Sequence, residues 1–215
     1  MKSVLLIGLG RFGKHIAMEL NKLDHYVMAI DIDEGKVEDV MPFVTSARIG
    51  NSTNENFLEE LGVRNYDLCI VAIGTDFQSS LETTSLLKEL GAPMVISRAS
   101  RDVQAKFLLC NGADDVVYPE KDMAKWVAVR YGSDYILDYI ELDGDYGIFE
   151  VVPPEDWIGK VVDHGVIQKK YDINIIAIKQ DGRMRPYINY EDSFSEEDIL
   201  VVLGRYKDLK KCFDL

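Results

Sequence analysis

Residues Val4-Leu5-Leu6-Ile7-Gly8-Leu9-Gly10-Arg11-Phe12-Gly13 pass from an unbroken apolar run straight into three glycines spaced G-x-G-x-x-G. A short run of leucine and β-branched residues closed by glycine reads as a buried strand. Each glycine then has its own task. Gly8 permits a tight turn, Gly10 leaves the backbone bare where a pyrophosphate would approach, and Gly13 lets the next helix lie close against the strand. The first amides of that helix face an anion. A helical pattern opens at once (Phe12, Ile16, Leu20, Leu23), and a second strand, Tyr26 to Ile30, ends in Asp31. That acid lies about 20 residues on, where a carboxylate accepts hydrogen bonds from an adenosine ribose. The competing reading is a nucleotide-free fold that keeps its glycines for packing and Asp31 as a helix cap.

The 215 residues suffice for one domain of ordinary size and a smaller one. With 24 basic against 37 acidic residues the net charge is −13, which repels nucleic acid and anionic lipid alike. A nucleic-acid role is therefore not expected, and any membrane role requires a protein partner. Cys69, Cys110 and Cys212 are scattered and form no ligand spacing with His15, His25 and His164, so neither a zinc site nor a disulfide framework is readable. Cys69 sits within Leu68-Cys69-Ile70-Val71-Ala72 and reads as a small core residue. Val4–Ile7 is interrupted by glycines and Arg11, unlike a signal peptide. No apolar stretch approaches the roughly 20 residues that span a bilayer. The expectation is a soluble, cytoplasmic chain with no direct membrane insertion.

Strand-like and helix-like patterns alternate through the first 120 residues, which predicts an α/β fold with a Rossmann-like doubly wound parallel sheet. Six strands are expected: Val4–Ile7, Tyr26–Ile30, Ser46–Ile49, Leu68–Ile73, Met94–Ser97 and Asp115–Tyr118. Helices are expected near 11–23, 34–40, 54–61, 77–90 and 101–110, with Ser52 and Glu55 spaced as a capping box before the third. A further helical segment at about 120–140 carries Trp126, Tyr131, Tyr135 and Tyr139, and either covers the sheet or packs on another subunit. Beyond Glu141 the β-type runs Gly147–Val152, Ile173–Lys179 and Ile199–Leu203 alternate with turn signals, clearest at Pro153-Pro154 and Gln180-Asp181-Gly182. With helices near 163–171 and 206–213, residues 141–215 read as a small α+β C-terminal domain. The boundary is expected around Asp143-Gly144-Asp145, after a nucleotide-binding domain of residues 1–140.

In a doubly wound sheet the ligand lies at the carboxyl ends of the strands, so the residues there form the candidate site. They are Gly8, Gly10, Arg11, Phe12 and Gly13 after the first strand, Asp31 and Ile32 after the second, and Asn51 and Ser52 after the third. Ala72, Ile73 and Gly74 follow the fourth, and Arg98 ends the fifth. Asn51 has the donors and acceptor to read an adenine edge, or serves as a turn residue. Arg11 stands at a helix N-terminus, where a cation is unfavourable by about 0.3–1 kcal/mol unless a phosphate or solvent offsets it. Arg98 is a second phosphate candidate or one half of a salt bridge. Glu120 suits a helix dipole, or faces a polyphosphate with a divalent cation between them, which makes it the candidate metal ligand.

Catalytic machinery is not evident, so the chain is expected not to be an enzyme. The one Tyr-x-x-x-Lys match, Tyr206…Lys210, lies near the C-terminus, and Gly13-Lys14-His15 lacks the hydroxyl of a P-loop. An NAD-dependent oxidoreductase with its catalytic group in the second domain is the alternative.

Gly8-Leu9-Gly10-Arg11-Phe12-Gly13, Ala29-Ile30-Asp31, Gly50-Asn51-Ser52-Thr53, Val71-Ala72-Ile73-Gly74, Asn111-Gly112-Ala113-Asp114 and Tyr118-Pro119-Glu120-Lys121-Asp122-Met123 together resemble the nucleotide-binding half of the RCK domain. The likeness is to the Ktr/Trk-type gating subunits of bacterial potassium-uptake systems, and Ala177-Ile178-Lys179 and Leu203-Gly204 are similar to their small C-terminal domain. The resemblance implies a regulator that binds ATP, ADP or NAD(H) and assembles as homo-oligomers, from dimers to an octameric ring, beneath a membrane potassium channel or transporter. It implies that Arg11 contacts nucleotide phosphate across a dimer and that Glu120 takes part in cation binding beside it. It also tilts the aromatic segment 123–140 toward an intersubunit contact. Some relatives bind cyclic di-AMP through an arginine in the C-terminal helix and a downstream Pro-x-Pro. Here Gln168 and Pro186-Tyr187-Ile188 depart from that pattern, which argues against cyclic di-AMP as a ligand.

Overall fold

Both sides of the strand Ser3–Ile7 (β1) are covered: Val4 and Leu6 enter one apolar cluster, Leu5 and Ile7 another on the opposite face. A strand that buries both faces belongs in a sheet held between helices. In the computed structural model, which describes residues 1–161, 164–186 and 193–213, β1 pairs in parallel with Tyr26–Asp31 (β2) and with Leu68–Val71 (β4). Ser46–Ile49 (β3) extends the sheet beyond β2. Val95–Arg98 (β5) and Asp115–Val117 (β6) extend it beyond β4, and every pairing is parallel. The order β3-β2-β1-β4-β5-β6 reverses direction at β1, so a crevice opens where β1 and β4 end side by side. The six predicted strands are present.

Helices Arg11–Lys22 (α1) and Glu34–Val40 (α2) cover the Val4 and Leu6 face, with Ala17, Val37 and Val40 buried. Glu55–Glu60 (α3) and Phe77–Glu89 (α4) cover the other face through Leu58 and Leu87. Asp102–Cys110 (α5) buries Leu108 against Ala99 and Ala113. Buried hydroxyl pairs seat α4: Thr83 with Ser52, and Thr84 with Ser97 of β5, each at 2.8 Å. That pairing corrects the expected capping box. Asn51 O accepts from the Asn54 amide, closing a turn that moves the start of α3, and Asn54 Oδ1 caps the Phe57 amide. Ser52 is turned inward.

The first compact unit spans Met1–Lys121 and the second Asp122–Leu215. Pro119–Tyr131 (α6) begins in the first and continues into the second. The second unit holds an antiparallel sheet, order β10-β9-β11-β8-β7, made of Ile136–Glu141 (β7), Tyr146–Val151 (β8), Asn174–Gln180 (β9), Arg183–Arg185 (β10) and Ile199–Arg205 (β11). Helices His164–Tyr171 (α7) and Tyr206–Phe213 (α8) complete it. Its core gathers Phe149, Val151, Ile175, Leu200, Val202 and Phe213, with Trp157 stacked on Phe194 at 6.1 Å.

Two expectations change here. Residues 136–141 form a strand, not part of a helical segment, because Tyr139 stacks on Phe149 at 5.6 Å across the β7–β8 pairing. The boundary expected at Asp143-Gly144-Asp145 is instead the tip of that hairpin, where the Tyr146 amide donates to Asp143 O at 3.0 Å. Tyr135 and Tyr139 pack against the second unit's core, whereas Trp126 and Tyr131 meet edge to face on α6. Asp181 and Gly182 both have positive φ, as a two-residue hairpin turn between β9 and β10 requires. Gln168 lies on α7, but Tyr187 and Ile188 lie outside the described residues.

Candidate functional site

The loop after β1 is fixed by its neighbours before any ligand is considered. Gly8 has φ +91°, and a Cβ there would stand 2.9 Å from the Ile73 amide nitrogen, so only glycine fits. The Gly8 amide donates to Ile30 O at 2.8 Å and the Ala72 amide to Ile7 O at 2.7 Å. Asp31, at the end of β2, accepts from the Leu9 amide at 2.7 Å and the Asp33 amide at 3.0 Å, and Lys36 Nζ lies 3.6 Å away. This buried carboxylate thus braces the glycine loop and keeps lone pairs free, since an ionised carboxyl accepts about four bonds.

Gly10 and Gly13 serve different ends. A Cβ on Gly13 would stand 1.9 Å from Gly8 O, so its absence is what lets α1 rest on the loop. A Cβ on Gly10 would meet nothing within 4 Å. Gly10 is the N-cap of α1 and offers no side-chain acceptor to the amides behind it. Helices α2, α3 and α4, by contrast, are capped by Asp33, Asn54 and Asp76. The start of α1 retains donors of the kind that bind phosphate.

A cavity of about 810 Å³ opens over these strand ends. Every predicted binding residue except Gly13 lines it, and so does Glu120. Ile7, Ile30, Ile32 and Ile73 give it apolar walls, and Ile32 is 71 % exposed although large and apolar. Asn51 is part turn residue: its Oδ1 accepts from the Thr53 amide at 3.0 Å, which leaves its amide donors for other partners. The sequence reading did not single out Lys36 or Ser79 as lining residues, and it gave Gly50 and Pro119 only within the motifs of the family resemblance. Lys36 carried a signal of its own, a cation in the first turn of the helix that follows Asp31.

Electrostatically the rim is mixed. Arg11, Lys36 and Arg98 face Asp31, Asp76 and Glu120. The Ser79 hydroxyl and then its amide hold the Asp76 carboxyl below the ordinary range, as suits a helix cap. Glu120 is also held low, first by its own backbone amide, against the opposing pull of burial, and then by Arg98. Arg98 Nη2 donates to Glu120 Oε1, so the two candidates form an ion pair with each other. Arg98 Nε is buried with no hydrogen-bond partner, a donor an oxyanion would satisfy. Among the described residues no three His, Cys, Asp or Glu side chains cluster as a metal site. The acid expected to hold a cation, Glu120, is already engaged by Arg98.

The arrangement fits an adenine nucleotide: apolar walls for a base, a braced acid for a ribose, and uncapped amides with arginines for phosphates. Residues 4–119 match the TrkA-N domain. The chain is 40 % identical over 210 residues to Ktr system potassium uptake proteins C and A of Bacillus subtilis (strain 168), covering 98 % of this chain and 95 % of each relative. Against Ktr system potassium uptake protein A of Vibrio alginolyticus it is 30 % identical over 203 residues, 94 % of this chain and 92 % of that one. In fold it is similar to the GsuK channel bound to NAD, with TM-score 0.68 at 16 % identity, spanning 97 % of this chain and 38 % of that one.

Proposed function

Because the chain belongs to the TrkA-N family and aligns with Ktr potassium uptake proteins over nearly its full length, we propose that it is a nucleotide-binding regulatory subunit of a potassium-uptake system. It binds an adenine nucleotide, ATP, ADP or NAD(H), at the strand ends and responds by changing conformation. The observation that carries the reading is the strand-end cavity, with Asp31 bracing the loop and a bare helix start at Gly10. A ligand acts as a regulator only by binding two states differently. Phosphates opposite Arg11 and Arg98 supply such a difference. A divalent cation, if one takes part, is held by Glu120 together with the ligand's phosphates.

The membrane partner is a potassium channel or transporter subunit, reached from the cytoplasmic face. No helix among the described residues is long and apolar enough to cross a membrane. Self-association, from dimers toward an octameric ring, is supported by α6, which exposes Met123, Val127 and Tyr131 at intervals of one turn. Light scattering at micromolar concentration with nucleotide tests it, and a mass equal to one chain overturns it. The oxidoreductase alternative finds less support, since the relatives that align over nearly the full chain are potassium uptake proteins.

The test of nucleotide binding is calorimetry with ATP, ADP, NAD, NADH and NADP on the wild type and on Gly10→Ser. Serine is a favoured N-cap and has room here, so the variant keeps or gains stability. Its hydroxyl takes the amides that a phosphate would use. Affinity is expected to fall at least about tenfold. Equal affinity in variant and wild type overturns the phosphate assignment.

A further inference from the structure

The ion pair at the cavity's rim joins two groups that each have a ligand-facing role, and its geometry is one-sided. Arg98 ends β5, and its side chain is only 20 % exposed. Its guanidinium carbon lies 5.5 Å from the centre of the Phe12 ring. Nη1 fills the space over Gly74, where a Cβ would stand 2.1 Å from it. Glu120 is different: its side chain is 59 % exposed, so it can turn into water while Arg98 stays in place for another acceptor. Arg98 is therefore the fixed member and Glu120 the removable one. Nε is buried without a hydrogen-bond partner, so the present pairing leaves the fork of donors incompletely used.

We infer that Arg98 determines specificity by ligand charge, with Glu120 as a resident carboxylate that, in the absence of a divalent cation, an incoming phosphate must displace. This rests on the nucleotide reading of the cavity. A carboxylate carries one negative charge and engages Nη2, whereas a terminal phosphate carries more charge and three acceptor oxygens, enough to occupy Nη2 and Nε together. Ligands without a terminal phosphate leave the pair intact. Ligands with one exchange it, and the exchange releases an acid at the first turn of α6. Glu120 thus raises the threshold for binding, and the threshold falls most for the most highly charged ligand. The fixed guanidinium makes the device a discriminator and not merely an attractive charge.

The experiment is calorimetry of ADP and adenosine in chelator-containing buffer, so that no divalent ion intervenes, on the full chain as wild type, Glu120→Gln, Arg98→Ala and the double variant. The readout is the ratio of ADP to adenosine affinity. Glu120→Gln is expected to raise it about tenfold, because the neutral amide is a weaker rival for the guanidinium. Arg98→Ala is expected to lower it, and the double variant to match Arg98→Ala. A ratio unchanged or lowered by Glu120→Gln overturns the inference, as does a gain that survives removal of Arg98. If the wild type binds neither ligand, the nucleotide reading itself falls, an outcome distinct from the other two. Should Arg98→Ala fail to fold, Arg98→Lys keeps the charge but not the fork, and the same loss of the Glu120→Gln gain is expected.

Discussion

At the scale of single residues, the three glycines of one motif obey three different constraints. Gly8 is fixed by its φ, Gly13 by the approach of Gly8 O, and Gly10 by nothing in the protein. Gly13→Ala must push α1 off the loop, and urea denaturation is expected to register a loss of about 1–3 kcal/mol. Burial pushes the Cys69 thiol up to about 12, so in the folded chain it stays protonated and inert, while exposed Cys110 reacts. A thiol-titrating reagent is therefore expected to modify Cys110 at once and Cys69 only in denaturant. Strand-end residues were legible in the sequence because a parallel sheet sends its ligand there. The Arg98–Glu120 pair was not, since the two are 22 positions apart and only the β5-β6 pairing brings them together. Asn51 was half legible: its turn role was open to reading, but the bond that engages its carbonyl was not.

At the scale of elements, β1, β2 and β4 were legible because strands buried on both faces read as continuous apolar runs. Strand β7 was not. Its register slips between Ile136 and Asp138, which breaks the alternation a half-buried strand should show, and its tyrosines continued the aromatic pattern of α6. The hairpin tip at Asp143-Gly144 then carried the signature of a linker. Where elements meet, Asp114 performs a joining role: it accepts from Lys88 of α4 at 2.9 Å and from the Val95 amide of β5 at 2.7 Å. The Lys88 bond first, then the Val95 amide, hold its pKa below the ordinary carboxylate value. A depressed carboxylate contributes stability above its unfolded pKa and loses it as pH falls through the folded one. Asp114→Asn is therefore expected to destabilise by about 1 kcal/mol at neutral pH, discounted because the side chain is more than one-third exposed. The gap between variant and wild type should close as pH drops below about 4 in pH-dependent melts.

At the scale of the whole chain, two compact units own separate cores: one built on β1 and its neighbours, the other on Phe149, Leu200 and Phe213. Separate cores predict separate melting transitions, and a ligand held entirely by residues of the first unit should raise only the first. At a nucleotide concentration 100 times Kd that shift corresponds to about 2.7 kcal/mol, readable by scanning calorimetry. Both transitions moving together would mean that the units unfold as one.

Helix α6 imposes a restriction on anyone who would take the molecule apart. Pro119 and Glu120 line the cavity, yet the carbonyls of residues 119–121 are held by amides at 123–125, since each helical bond reaches four residues ahead. A fragment ending at Lys121 would keep every lining residue in its sequence and lose the turn that aims Glu120 at Arg98. The binding half of the chain is complete only with the first turns of the half beyond it.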